Sequence, residues 1–198
     1  MRNLRNLART YAKPQLRSLF LTSFLVMAGN GLFMAFFGAF LVYRYGWDEG
    51  EIGHFMGYMG VCVVFTQLYT LRKMAKRFSE AAILRVVILG LAFALAAYVL
   101  PIGSWVMFLI APCVSTCNGL AMVNLQGLLS RTASVNEQGE VMGINSSLQA
   151  LAIALPPIAA GSIASAWSPQ AAVLGAALCQ LAAWLAFVAS YRTSTQRT

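Results

Sequence analysis

Six long apolar runs dominate the sequence, and each is long enough to cross a lipid bilayer. They cover residues 19–42, 52–71, 82–100, 105–129, 141–163 and 170–191. A transmembrane α-helix needs about 20 mainly apolar residues. Of the 198 residues, 59% are hydrophobic and 10% are charged, so a soluble domain would have too few polar residues to cover its surface. We therefore predict an all-α membrane protein with six transmembrane helices.

The basic residues are concentrated on one side of the predicted membrane. Of the 14 lysines and arginines, only Arg44 lies in a loop on the side opposite the N-terminus. The positive-inside rule then predicts a multi-pass protein of the cell (inner) membrane with both termini in the cytoplasm. The net charge of +8 does not indicate a nucleic-acid partner, because no basic face carries interleaved exposed aromatic residues.

No catalytic or metal-binding pattern stands out in the sequence. It contains no P-loop and no Ser/His/Asp set, and the single histidine, His54, has no acidic partner within its apolar run. Cys113 and Cys117 are one helical turn apart, but no histidine or further cysteine completes a metal set near them. We expect no enzymatic activity, no cofactor and no metal site.

Residues 136–161 combine small side chains, amides and prolines in one predicted helix. Small residues at helical spacing allow a neighbouring backbone to approach closely in lipid, and Gly53 and Gly57 form a similar face in the second run. Pro156 and Pro157 remove two backbone donors and favour a bend. The candidate packing or gating residues are Gly53, Gly57, Gly139, Gly143, Ser147, Pro156, Pro157 and Gly161. We expect leucine to disrupt packing more at Gly143 than at Gly90.

Polar side chains recur inside the apolar runs, where an unpaired amide is costly. Such amides either line a cavity or pair between helices, and the sequence leaves both open. Methionines beside amides suit a bulky, partly apolar ligand. The predicted substrate-binding or cavity residues are Asn30, Met34, Tyr58, Asn118, Met122, Asn145 and Gln149. His54, after a short outer loop predicted over 43–53, is a candidate proton-responsive group.

The first and fourth runs are similar to each other. Residues 30–34 read Asn-Gly-Leu-Phe-Met and residues 118–122 read Asn-Gly-Leu-Ala-Met, and the loops that follow also resemble each other. Three runs per unit place the second copy in the opposite orientation. The sequence therefore predicts a 3+3 inverted-topology repeat, with repeat one over 19–100 and repeat two over 105–191.

The segment Glu137-Gln138-Gly139, followed by Gly143 and later by Pro156 and Gly161, resembles the fifth helix of the C-terminal half of major facilitator superfamily transporters. The likeness is greatest to tetracycline-efflux-type drug:proton antiporters, although Leu155 stands where they usually have glycine. The resemblance implies half of that fold and a role in transmembrane transport. Residues 1–18 would then be an amphipathic linker, 19–191 the six-helix bundle and 192–198 a cytoplasmic tail.

The resemblance also implies partners. Half of a secondary transporter would act by alternating access with a second six-helix bundle, which is either another copy in a homodimer or a missing N-terminal half. The other expected partners are membrane lipid and a small amphipathic or drug-like substrate for efflux. Two alternatives remain open: a non-transporting scaffold in which the amides only join helices, and a fragment of a twelve-helix transporter.

Overall fold

The computed structural model of the chain describes residues 14–101, 103–163 and 168–195. At positions 14, 157, 159–163 and 190–195 it describes the backbone alone. Six long helices account for most of the described residues. They are α1 (Pro14–Tyr45), α2 (Glu49–Ala75), α3 (Glu80–Tyr98), α4 (Ser104–Thr132), α5 (Gln138–Ile163) and α6 (Pro169–Thr195). The first thirteen residues of the predicted linker lie outside the described part.

Five of these helices, α1 to α4 and α6, are long and apolar enough to span a membrane. The helix α5 has 26 residues and contains the predicted fifth run. The all-helical, membrane-spanning class that we predicted from the sequence is therefore confirmed.

The outer loop between α1 and α2 is shorter than the predicted 43–53, because a capping box starts α2 early. The chain turns at Gly46, whose φ is +69°. The Glu51 amide donates to Asp48 Oδ1 at 2.7 Å, and the Asp48 amide donates to Glu51 Oε2 at 3.0 Å. These reciprocal bonds satisfy two backbone donors that a helix start leaves free. The helix therefore begins at Glu49.

A π-helical turn interrupts α2 at Thr66–Thr70. The Leu71 amide donates to the carbonyl of Thr66, five residues back. Thr66 Oγ1 donates to Cys62 O at 2.8 Å and lies 2.9 Å from Thr116 Oγ1 of α4. The α2 helix is thus joined to α4 by a hydroxyl pair at its irregular turn.

The helices of each predicted repeat pack mainly on helices of the other. The α1 helix lies along α6 and α5, whereas α4 lies along α3 and α2. The α3 and α6 helices contact each other, and α1 and α4 meet over a smaller area. Consequently α1, α3, α4 and α6 form a central bundle, with α2 attached to α4 and α5 attached to α1.

Two apolar cores follow one another along this central bundle. One contains Leu19, Leu84 and Leu125, and the other contains Phe37, Leu95 and Val173. The second core is aromatic: the ring centroid of Phe37 lies 5.8 Å from that of Phe55 and 5.0 Å from that of Tyr98. On α1, α4 and α6 the boundary between the cores falls at 27–32, 115–119 and 178–182. The polar residues described next occupy this boundary.

Candidate functional site

Three side-chain amides form a hydrogen-bonded chain between the two cores. Gln180 Nε2 on α6 donates to Asn30 Oδ1 on α1 at 3.3 Å. Asn30 Nδ2 donates to Asn118 Oδ1 on α4 at 2.8 Å. We call Gln180, Asn30 and Asn118 the amide relay. It links three helices of the central bundle at the level where the apolar cores end, and hence near the middle of the predicted spans.

Solvent exposure differs between the two ends of the relay. Gln180 is fully buried, whereas Asn30 and Asn118 are half-buried. Gln180 Oε1 has no hydrogen-bond partner among the described residues. Two members, Asn30 and Asn118, belong to the predicted cavity set, and the structure brings them into direct contact.

Gln180 was missed by the sequence analysis. It is the single amide in the apolar stretch 171–189 of α6. An isolated amide in such a run has to find a partner inside the protein, and this signal could have identified it. Its approach to α1 depends on Gly29, because a Cβ at that position would lie 2.8 Å from Gln180 Nε2.

Asn145 and Gln149 lie on α5 and are not joined to the relay by a hydrogen bond. Gln149 Nε2 donates to Ser23 Oγ of α1 at 3.3 Å. Asn145 is 1% exposed, and its Oδ1 has no partner among the described residues. Gln149 thus joins α5 to α1, and the structure divides the predicted amides between the relay and α5.

The remaining predicted cavity residues are dispersed. Met34 is 59% exposed on α1, and Met122 packs against the core that contains Leu125. The Tyr58 ring packs at a tilt against the Phe108 ring at the edge of the aromatic core, with centroids 5.7 Å apart. These three residues therefore occupy different parts of the bundle.

A cavity of about 710 Å³ lies away from the relay, between the end of α2, the start of α3 and α4. Its wall includes Leu71, Phe78 and the buried Asn124. Arg131 Nε and Glu80 Oε1 are 3.3 Å apart at this wall. None of the predicted cavity residues lines it.

Four glycines of the predicted small-residue faces have no close neighbour among the described residues. A Cβ built on Gly53, Gly57, Gly139 or Gly143 would have no neighbour within 4 Å. Ser147 is exposed, and its hydroxyl donates to Gly143 O of the same helix at 3.1 Å. The expected close packing of these positions within the bundle is therefore not found. Close approach occurs instead at Gly29, Gly31 and Gly90.

We expected leucine to disrupt packing more at Gly143 than at Gly90, but the surroundings of the two glycines in this chain favour the opposite order. A Cβ on Gly90 would lie 3.2 Å from Cys117 Sγ, while the one on Gly143 meets open space.

The α5 helix continues through Pro156, which is half-buried, and through Pro157. The structure describes only the backbone at Pro157 and Gly161. His54 is exposed in the second turn of α2.

Within residues 14–101, 103–163 and 168–195, no group of three or more His, Cys, Asp or Glu side chains could hold a metal ion. The cysteines Cys62, Cys113, Cys117 and Cys179 are all free thiols. Uncharged amides joined across helices can offer hydrogen bonds to a ligand and can also hold helices together.

Comparison with known proteins agrees with this membrane-spanning helical architecture. The tetracycline resistance protein, class C, of Escherichia coli is 29% identical over 142 residues, which are 68% of this chain and 35% of that protein. The chain thus spans about a third of the length of this curated relative. No solved structure matches the chain. The family model of the Major Facilitator Superfamily matches residues 19–198. Because this match covers most of the sequence, the chain belongs to the Major Facilitator Superfamily.

Proposed function

We propose that this chain is half of a secondary transporter for a small amphipathic molecule. The observation that carries the proposal is the Asn30–Asn118 contact, a half-buried amide pair between two apolar cores. Secondary transporters bind their substrates near the bilayer midplane, at the interface between repeats. The amide pair supplies hydrogen bonds at that depth without a charge, which suits a partly apolar, drug-like ligand in efflux.

The proposed 3+3 inverted repeat has support from two contacts. Asn30 and Asn118 occupy equivalent positions, separated by 88 residues, and bond to each other. The residues just before them also make equivalent contacts: Gly29 lies against Cys179, and Cys117 lies against Gly90. Residues that correspond to each other under a two-fold axis are expected to make such reciprocal pairs.

The packing order supports the same symmetry. The α1 helix packs on α6 and α5, and its proposed counterpart α4 packs on α3 and α2. Exchanging the two repeats converts the first pair of contacts into the second. The proposed axis passes between Asn30 and Asn118, so the ligand would bind where the repeats meet.

A second six-helix bundle would complete the transporter. The exposed glycine faces of α2 and α5 support this proposal, because small residues at helical spacing are suited to close packing against another helix. The matched relative is much longer than this chain. The partner is thus either a second copy or an N-terminal half, and alternating access would come from one bundle rocking against the other.

The proposed orientation places both termini in the cytoplasm of a cell whose membrane the chain spans. The basic residues Arg72, Lys73, Lys76 and Arg77 flank the proposed cytoplasmic end of α2 and are exposed. Anionic lipid headgroups attract such residues, so lipid is the expected partner of that surface.

A scaffold function is the second candidate, because the relay amides bond to one another. Interhelical hydrogen bonds of this kind contribute about 0.6 kcal/mol on average in membrane proteins. If the relay acts only as a link between helices, its loss would lower stability without affecting any ligand.

The test is to measure binding and stability in the same variants. Purified chain in mild detergent is titrated with tetracycline, the compound to which the Escherichia coli relative gives resistance, and its unfolding temperature is recorded. We expect Asn118→Leu to weaken binding by about tenfold, equivalent to about 1.4 kcal/mol, while unfolding changes little.

The matched control is Asn124→Leu, because Asn124 is another amide on α4 and, among the described residues, donates only to Leu120 O of its own helix. It should leave tetracycline binding unchanged. Loss of stability in Asn118→Leu, together with no tetracycline binding by the wild-type chain, would support the scaffold function and refute transport of this ligand class.

A further inference from the structure

The orientation of the Gln180 amide is determined by a backbone carbonyl. The oxygen and nitrogen of an amide side chain have similar shapes, so their assignment depends on the hydrogen-bond network. Gln180 Nε2 lies 3.1 Å from Val26 O, and a backbone carbonyl can only accept. The group of Gln180 that faces Val26 therefore has to be the NH₂ donor.

The orientation of Gln180 determines the orientations of the other two amides in the relay. The same Nε2 has a second hydrogen, which it donates to Asn30 at 3.3 Å, so the group that Asn30 turns to Gln180 is its oxygen. The Asn30 nitrogen then faces Asn118 and donates to its Oδ1 at 2.8 Å. Each amide in the series thus donates toward Asn118. Asn118 accepts through its Oδ1, so its Nδ2 group, which donates to none of the described residues, is the remaining donor.

The two repeats do not contribute equally to this order. At the offset of 89 that relates Cys179 to Gly90, the counterpart of Gln180 is Leu91, a buried apolar residue. Asn30 consequently receives a hydrogen bond from its neighbouring third helix, whereas Asn118 has no amide in the equivalent place. Without Gln180, the Asn30–Asn118 pair could reverse its direction of donation by rotating both amides.

We propose that Gln180 is a positioning residue that makes Asn118 a hydrogen-bond donor to the substrate. The site therefore selects molecules with an acceptor, such as a carbonyl or ether oxygen, over apolar molecules that have none. This inference rests on the proposed function and names the chemical group that the ligand has to carry. Gln180 itself is buried and does not touch the ligand.

The first arm of the test compares two probes. Tetracycline has several oxygen acceptors, whereas the lipophilic cation tetraphenylphosphonium has none. Gln180→Met keeps the length of the side chain and removes its donor. We expect the Kd for tetracycline to rise about fivefold to tenfold, the effect of one hydrogen bond, and the Kd for tetraphenylphosphonium to stay within about twofold.

Gln170→Met is the control, because Gln170 lies near the start of the same helix and outside the relay. It should change neither Kd. An equal loss of affinity for both probes in Gln180→Met would indicate a general structural defect and would overturn the proposal. Unchanged tetracycline binding in that variant would also overturn it.

The second arm needs no ligand. Nuclear magnetic resonance of chain labelled with ¹⁵N at asparagine side chains reports the Nδ2 group of Asn118. We expect Gln180→Met to shift or split this signal, because the Asn30 amide becomes free to reverse, even though Gln180 and Asn118 do not bond to each other. An unchanged Asn118 signal refutes the positioning role.

The two arms separate this inference from the proposed function. If the wild-type chain binds neither probe, the transport proposal fails and the substrate preference fails with it. The Asn118 signal still decides whether Gln180 orients the relay. Gly29→Ala supplies a second variant at this contact, because its methyl group would lie 2.8 Å from Gln180 Nε2 and 3.0 Å from the backbone oxygen of Ala176, and would displace α6 together with the amide.

Discussion

At the scale of single residues, glycines show where helices of this chain approach each other closely. A Cβ placed on Gly90 would lie 3.2 Å from Cys117 Sγ, and one placed on Gly31 would lie 3.1 Å from the backbone of Ile153. Gly143 faces open space. A small-residue pattern in the sequence identifies positions that permit close packing, but it does not tell which of them are filled within the chain and which await another molecule.

We therefore predict that Gly90→Leu destabilises the isolated chain and Gly143→Leu does not. Overpacking typically costs about 1 to 3 kcal/mol, and only the first substitution meets a neighbouring helix. Thermal unfolding in detergent, followed by circular dichroism, measures the difference. A lower unfolding temperature for Gly143→Leu than for Gly90→Leu would contradict the open environment of Gly143.

At the scale of elements, the start of α2 depends on a local capping box. Asp48 and Glu51 exchange hydrogen bonds between side chain and backbone at 2.7 and 3.0 Å. The signal was visible in the sequence as an aspartate followed three residues later by a glutamate. It was overlooked because the glycines and aromatic residues around it favoured a loop, so the predicted boundary was several residues too late.

Replacing Asp48 by alanine should destabilise α2 by about 1 kcal/mol, the usual effect of losing a helix cap. Asp48→Asn should retain most of the stability, because its side-chain oxygen still accepts from the Glu51 amide. Chemical or thermal unfolding measures both variants. Equal stability of Asp48→Ala and the wild-type chain would show that the cap contributes nothing.

The helical content and the similarity between the segments of Asn30 and Asn118 were accessible from the sequence, whereas the direct contact of these two residues was not. Hydrophobic run length predicts spans because backbone groups in lipid have to be satisfied within a helix. The internal similarity placed both asparagines at equivalent positions. Gln180 was not found, because it lies in the third helix of the proposed second repeat, where the sequence looked uniformly apolar. Which amides meet is decided by long-range packing and cannot be obtained from spacing along one helix.

At the scale of the whole molecule, the exposed faces of α2 and α5 predict association. If these faces bind a second copy, the chain in mild detergent should have the mass of a dimer, and Gly57→Trp combined with Gly143→Trp should convert it to a monomer. The control is Val86→Trp, a change at an exposed position of α3 outside both faces. Light scattering measures the mass. A wild-type monomer would exclude the homodimer and favour a separate N-terminal half as partner.

The orientation in the membrane can be tested by labelling. In a variant without its four native cysteines, Gly103→Cys should react with an impermeant thiol reagent added to intact cells. Ser194→Cys should react only after the cells are opened. These positions lie near opposite ends of the predicted spans, so the reverse labelling pattern would refute the cytoplasmic placement of the termini.

The π-helical turn in α2 has a consequence for changes in chain length. A π-helical turn holds more residues than an α-helical one, and here the Leu71 amide reaches back five residues to Thr66. Deleting one residue from Thr66–Thr70 could therefore be absorbed by conversion of this turn to an α-helix. A π-helical turn uses about one residue more than an α-helical turn for nearly the same rotation, so the deletion would leave Arg72 and Lys73 facing the same way relative to the rest of α2. In descendants of this sequence, a one-residue gap here would therefore keep both the helix and the direction of its basic side chains.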